Sequence, residues 1–199
     1  MKETIFVTGA GGNVGKEVVR SLLERGVRVI ASKRATSDKE DGQDLTYRPF
    51  DFTDPSTWDA CLHEVTRVFL IRPPHMAKIR RDICPFLDYL KERKIRQVVF
   101  LSVQGAETNT IVPHHRIEAY IQKIGLPYSF VRPSFFMQNL NTTHLKEIRD
   151  DHILMVPTGK GKTNYIDTRD IGQICALIFL DGKHLNQAYT VTGPMSYSS

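Results

Sequence analysis

Gly9, Gly12 and Gly15 are spaced G-x-x-G-x-x-G within the stretch T-I-F-V-T-G-A-G-G-N-V-G from Thr4 to Gly15, with Gly11 as a further permissive residue. Such a turn can hold a diphosphate. Gly9 allows a tight strand-to-helix turn, Gly12 lets the main chain approach a pyrophosphate with no Cβ in the way, and Gly15 lets the helix pack closely. The helix start adds free N–H groups and a partial positive charge. An apolar strand before the turn and an amphipathic helix after it argue against simple turn glycines, so a dinucleotide is the expected ligand. At the end of the second strand, where NAD sites usually place an acid, stand Ser32, Lys33 and Arg34. A carboxylate would repel a 2′-phosphate and a guanidinium can bind one, which favours NADP(H) over NAD(H). Lys33 and Arg34 as ordinary solvated loop charges remain the alternative. A second phosphate motif fails: Thr158 to Thr163 reads T-G-K-G-K-T, but the first P-loop glycine would fall on Val156.

The elements that must position these residues follow one rhythm. Ile5 to Thr8, Val27 to Ser32, Thr46 to Phe50, Val68 to Ile71, Val98 to Ser102 and Tyr128 to Arg132 read as strands, several apolar enough to be buried on both faces. Helical stripes lie between them: Val14, Val18 and Leu22; a short helix opened by Asp54 and Pro55; Ile79, Ile83, Leu87 and Leu90 with a kink predicted at Pro85; and Ile117, Tyr120, Ile121 and Ile124. After Arg132 come an aromatic and polar loop from Pro133 to Asn141, a helix near His144 to Asp150, and short strands near Ile153 to Val156 and Asn164 to Ile166. A helix from Asp170 to Leu180 and a strand from Tyr189 to Thr192 end the series. Strands alternating with helices predict right-handed crossovers and an α/β fold. The architecture expected is a Rossmann-like doubly wound parallel sheet, with residues 1–132 as the NADP(H)-binding core. Residues 133–199 would form a small C-terminal substrate-side lobe interleaved with that core.

Composition narrows the function classes. With 199 residues, 41% hydrophobic and 25% charged, the chain can bury a sizeable core, which excludes disorder and collagen-like structure. The longest apolar run, Ile174 to Leu180, falls far short of the ~20 residues that span a bilayer, so no membrane segment is expected. The start M-K-E-T-I-F-V-T-G lacks the features of a signal peptide. Cys61, Cys84 and Cys175 have no C-x-x-C spacing, which argues against a disulfide framework and a metal cluster and for a cytoplasmic setting. The net charge of +5 is too small to imply nucleic acid, and the basic stretches Lys78 to Arg81 and Lys91 to Arg96 read as solvated helix faces.

Several segments together carry a family likeness: V-T-G-A-G-G-N-V-G at 7–15, F-D-F-T-D-P at 50–55, Q-V-V-F-L-S at 97–102, G-L-P-Y-S-F-V-R-P-S-F-F-M-Q-N-L at 125–140, D-T-R-D-I-G at 167–172 and A-Y-T-V-T-G-P at 188–194. On these the chain resembles the NmrA-like branch of the atypical short-chain dehydrogenases/reductases. That group includes NADPH-dependent quinone, azo-dye and triphenylmethane-dye reductases alongside non-catalytic NADP-sensing regulators. The resemblance implies that Gly9, Gly12, Asn13 and Val14 line the pyrophosphate, that Arg34 meets the 2′-phosphate, and that Asp51 and Phe52 border the adenine. It implies that Ile71, Pro73 and Ser102 lie along the ribose and nicotinamide, with Pro133, Phe135 and Phe136 at the mouth of the substrate pocket. Arg72 is less expected in a turn that is usually small or apolar; it either touches a phosphate or points outward.

Proton donors are where the chain departs from ordinary short-chain dehydrogenases. None of Tyr47, Tyr89, Tyr120, Tyr128, Tyr165 or Tyr189 is followed four positions later by Lys, so the Y-x-x-x-K pair is missing. Tyr120 with Lys123 is the nearest miss and reads as core. His114 and Glu118, four apart at a helix start, are the candidate catalytic pair, with Ser102 beside the cofactor and His115 as a rival donor. A role as mere helix-end residues stays open. Two functions are expected in turn: hydride transfer from NADPH to a flat aromatic or quinone-like acceptor stacked on Phe135, Phe136 and Met137, or redox sensing through a protein partner. The first needs no metal or flavin. A homodimer is a possible assembly, and family members usually continue past the T-G-P segment with helix that covers the cleft.

Overall fold

The computed structural model describes residues 3–33, 41–153 and 161–198. Its strands are β1 (Thr4–Val7), β2 (Arg28–Lys33), β3 (Leu45–Pro49), β4 (Arg67–Ile71), β5 (Gln97–Leu101), β6 (Tyr128–Pro133), β7 (Phe135–Phe136), β8 (Lys162–Ile166), β9 (Gln187–Val191) and β10 (Ser196–Ser198). The helices are α1 (Asn13–Leu23), α2 (Trp58–Leu62), α3 (Ile79–Asp82), α4 (Cys84–Glu92), α5 (Pro113–Lys123) and α6 (Thr168–Leu180). Seven strands form one all-parallel sheet in the order β3-β2-β1-β4-β5-β6-β9. The chain reverses its direction of travel across the sheet after β3, so the crevice between the carboxyl ends of β1 and β4 is the topological switch point, where such folds bind ligands.

Side-chain alternation along the central strands builds two cores. Phe6, Leu70, Val98, Phe100 and Phe130 face α2 to α5, whereas Ile5, Val7, Phe69, Val99 and Val131 face α1 and α6. Both faces of the sheet are covered, which is why these strands read as continuous apolar runs rather than alternating ones. The α1–α6 crossing depends on Gly172. A Cβ there would stand 2.7 Å from the Glu17 main chain, so only glycine allows the two helices to approach this closely.

Four expectations change. The stripe from Ile79 to Leu90 is two helices rather than one kinked helix. The break falls at Ile83, and Pro85 sits in the first turn of α4, where its missing N–H costs no hydrogen bond. The helix near His144 to Asp150 narrows to a π-helical turn at Glu147–Asp151, closed by His152 in the left-handed region at φ 52°. Ile153 lies outside any strand, and 154–156 fall outside the described residues. The aromatic loop contains β7, which pairs with β8, and β8 pairs in turn with β10, making a second sheet of three strands. Residues after Pro133 also supply α6 and β9 to the main body. No helix among the described residues is long and apolar enough to cross a membrane.

Candidate nucleotide-binding active site

The glycine turn leaves β1 at the crevice. Gly9 has φ +61°, and its carbonyl accepts the Gly12 N–H at 2.9 Å. A Cβ on Gly15 would lie 2.1 Å from that same carbonyl, so this position excludes every other residue type. A Cβ on Gly12 would meet only the Gly9 oxygen at 3.4 Å, and Gly12 starts α1 with no side chain capping the helix. The amides at the start of α1 are thus left to solvent or to an anion. Thr8 ties the turn to β4, donating to the Phe69 carbonyl at 3.2 Å and accepting from the Ile71 N–H at 2.8 Å. The Ala10 N–H reaches Ser32 Oγ at 3.4 Å, linking the turn to the end of β2. Asn13 donates through Nδ2 to Thr142 Oγ1 at 3.3 Å, while Val14 is buried and offers the crevice only its main chain.

Around this turn the candidate residues differ in what they present. Lys33 is half-buried at the end of β2, and Arg34 lies outside the described residues. The Asp51 carboxylate accepts from Thr53 N and Oγ1, at 2.7 and 2.8 Å, and folds its own loop. The Phe52 ring is buried edge-to-face against Phe50 and Phe86, so a purine at this edge would meet main chain rather than the ring. Ile71 packs within 3.5 Å of the Cβ position of Gly9. Pro73 follows in a loop that Arg72 binds together: Arg72 Nη1 donates to the carbonyls of Pro73, Pro74 and Met76 at 2.8, 2.9 and 3.1 Å.

A buried ionic network lies at the carboxyl ends of β5 and β6. Ser102 Oγ donates to Glu118 Oε1, and Arg132 clasps the same carboxylate through Nε at 3.0 Å and Nη2 at 2.6 Å. The third guanidinium nitrogen of Arg132 lies 3.4 Å from Glu107. Glu118 is therefore an ionised acceptor in three charge-assisted hydrogen bonds. His114 stacks on Phe100 with ring centroids 6.0 Å apart. Burial and the nearby Arg72 guanidinium push its pKa down to about 4 against the opposing pull of Glu118, so the imidazole is neutral at pH 7. His115 turns away, with Nδ1 2.8 Å from the Ala106 carbonyl; since a carbonyl only accepts, that nitrogen carries the hydrogen.

The loop after β6 reaches the glycine turn at Thr142, which accepts from Asn13. Pro133 is buried, and its carbonyl accepts the Gln104 N–H at 3.0 Å. Ser134 Oγ is buried without a partner among the described residues. Phe135 meets Tyr165 edge-on at 5.5 Å, Phe136 packs into the α1–α6 core, and Met137 is exposed. Gln138 binds the start of α6 with both ends of its amide, to Asp167 Oδ1 at 2.8 Å and from the Thr168 N–H at 3.0 Å. No cluster of His, Cys, Asp or Glu among the described residues could hold a metal ion. A cavity of about 440 Å³ opens near Arg28, Thr46, Asp59, His63 and Glu64, beside the start of β2 and away from this crevice.

The profile of the NmrA-like family matches residues 1–199. This chain belongs to the NmrA-like family. It is 37% identical over 199 residues to prestalk A differentiation protein A of Dictyostelium discoideum, covering 97% of this chain and 65% of that protein. It is 30% identical over 202 residues to the NAD(P)H azoreductase of Xenophilus azovorans, covering 98% and 69%. The chain thus spans about two thirds of the length of these relatives. The NADP(H) complex of the triphenylmethane reductase of Citrobacter sp. shares the fold, with TM-score 0.81 and 19% identity over 98% of this chain and 72% of that one.

Sequence reasoning picked out Ser102 and Glu118 but missed Arg132, Gln138 and Thr142. For Arg132 a signal was present: a cation inside the strand pattern S-F-V-R-P, matched by an acid on the apolar face of α5. The side-chain bonds of Gln138 to Asp167 and of Thr142 to Asn13 span 29 and 129 residues, and no local pattern announces them.

Proposed function

We propose that this chain is the nucleotide-binding core of an NAD(P)H-dependent reductase that delivers hydride directly to a flat conjugated acceptor such as a quinone or azo dye. The observation that carries this reading is the uncapped, Cβ-free turn at the switch point, which fits a dinucleotide diphosphate. Ser134 Oγ, buried just after β6 without a partner among the described residues, and the likeness to an azoreductase support it. Lys33 and Arg34 favour the 2′-phosphorylated form. The bound nicotinamide would supply the hydride; the protein's part is alignment, exclusion of water and placement of protons.

Each polar group takes a distinct part. Ser102 has its proton committed to Glu118, so toward a ligand its oxygen offers lone pairs and accepts. Glu118 accepts from Ser102 and Arg132 and serves as a positioning residue for Ser102 rather than as an acid. His114, neutral at pH 7, can donate an N–H hydrogen bond to a developing oxyanion or nitrogen but does not act as an imidazolium. Phe135 and Met137 supply a polarisable surface for a planar acceptor.

Stopped-flow mixing of the protein and NADPH with neutral quinones and azo dyes tests the reading. Acceptor-dependent loss of the reduced-nicotinamide absorbance, faster with NADPH than NADH, is the expected result. Tight binding of both cofactor forms with unequal affinity and no reduction of any acceptor would overturn it in favour of an NADP-sensing regulator.

A further inference from the structure

We infer that Arg72 is a receptor for an anionic group, a phosphate, carboxylate or sulfonate, on a ligand entering the crevice. The inference rests on the proposed reductase site but on different atoms. Arg72 immediately follows β4 at the switch point, next to Ile71, which packs against the glycine turn. Its guanidinium is held at one end only, by the three carbonyls of its own loop on Nη1. Nε is buried with no partner, and Nη2 has none among the described residues. Nε and Nη2 form the edge that clasps carboxylates in a bidentate fork.

The same molecule shows that edge in use. Arg132 places Nε and Nη2 on Glu118, whereas Arg72 has no acid in contact with it among the described residues. A cationic donor pair left without an acceptor in a partly buried site costs stability unless an anion arrives, and positions near a functional cleft are where such costs persist. The loop carbonyls fix the guanidinium in place, so little further ordering is needed on binding. Nε is screened from solvent, so an arriving anion meets Nη2 first. The anion has two possible sources, the cofactor's own phosphates or an acidic substituent on the acceptor.

The experiment compares wild type with Arg72→Gln and Arg72→Lys in three measurements. The first is the change in Tm and in the His114 NMR titration on adding inorganic pyrophosphate. The second is calorimetric Kd for NADPH. The third is kcat/KM for a neutral naphthoquinone and for its sulfonate. Pyrophosphate should stabilise wild type and move the His114 titration upward, because neutralising Arg72 removes a charge that opposes imidazolium; Arg72→Gln should lose that upward movement. An acceptor source lowers kcat/KM for the sulfonate alone, by about ten- to hundredfold in Arg72→Gln. A cofactor source weakens NADPH by a similar factor and affects both quinones equally. Arg72→Lys, which keeps a point charge, should retain part of either effect.

If Arg72→Gln is folded, still shows the wild-type upward movement of the His114 titration with pyrophosphate, and keeps its NADPH Kd and both kcat/KM values within twofold of wild type, the inference is overturned. If Arg72→Gln fails to fold, Arg72→Lys and the wild-type His114 response decide; an unmoved His114 titration overturns it. A wild type that binds pyrophosphate through Arg72 yet reduces no acceptor would sink the reductase reading and leave the anion site standing.

Discussion

Replacing Arg132 by methionine should be among the most damaging single changes in this protein. Glu118 has a side chain only 6% exposed, and its carboxylate is held by two Arg132 nitrogens and one hydroxyl. Methionine keeps most of the volume but leaves a buried carboxylate with Ser102 as its single remaining donor. Removing one partner of such a pair costs about 3–5 kcal/mol. At about 2–4 °C per kcal/mol for a domain of this size, Tm should fall by about 6–20 °C at pH 7. Glu107 supplies an internal contrast. It reaches Arg132 at 3.4 Å with a side chain 43% exposed, so Glu107→Gln should cost less than about 1 kcal/mol. The double variant Arg132→Met with Glu118→Leu removes both charges and should recover most of the loss, giving a coupling well above the ~0.5 kcal/mol expected of independent sites. Urea unfolding followed by circular dichroism reads wild type, the single variants Arg132→Met, Glu118→Leu and Glu107→Gln, and the double variant. A penalty under about 1 kcal/mol for Arg132→Met, or additivity in the double variant, would refute the picture of Glu118 as an ionised acceptor held by a guanidinium.

The glycine turn separates packing from binding. Gly15→Ala forces a Cβ to 2.1 Å from the Gly9 carbonyl and should abolish both stable folding and cofactor binding, whereas Gly12→Ala meets only a 3.4 Å contact and should keep its Tm while weakening NADPH in calorimetry. His114 sets a pH dependence: its folded pKa of about 4 lies below the ~6.5 of an unfolded chain. The unfolded state therefore takes up the proton first, and stability falls as pH drops from about 6.5 to about 4. His114→Phe should flatten stability in that window in urea titrations at stepped pH, and an unchanged slope would show that the imidazole is not desolvated. Burial pushes the thiols of Cys61 and Cys84 up to about 12 and about 11, so iodoacetamide should label neither in the native protein at pH 7.5, nor the buried Cys175, until urea unfolds it.

Features legible in the sequence are those whose cause is local. Gly9, Gly12 and Gly15 lie within seven residues of one another, and the apolar runs at Ile5 to Thr8 and Val98 to Ser102 announce strands buried on both faces without reference to their neighbours. Pro85 is equally local, yet its meaning depends on position: inside a helix it kinks, and in a first turn it begins one, and the periodic stripe Ile79 to Leu90 does not distinguish the two. β7 and β10 escape because two or three residues carry too little pattern, and they become strands only by pairing with β8.

The chemistry of the crevice is less legible than its frame for the same reason. His114 and Glu118 share a face of α5, and their spacing suggests a donor pair. What each does is decided from other elements: Arg132 on β6 makes Glu118 an acceptor, and burial against Phe100 with the Arg72 charge nearby keeps His114 neutral. Ser102 shows how far this reaches. As a lone hydroxyl at a strand end it could donate or accept, but with its proton drawn to a carboxylate that an arginine keeps ionised, only the acceptor role toward a ligand remains. Glu118→Gln should therefore disturb cofactor affinity more than the pH profile of turnover, since it alters where the Ser102 proton points. A new ionisation in the rate profile of Glu118→Gln, or the loss of one present in wild type, would mean that Glu118 exchanges protons after all.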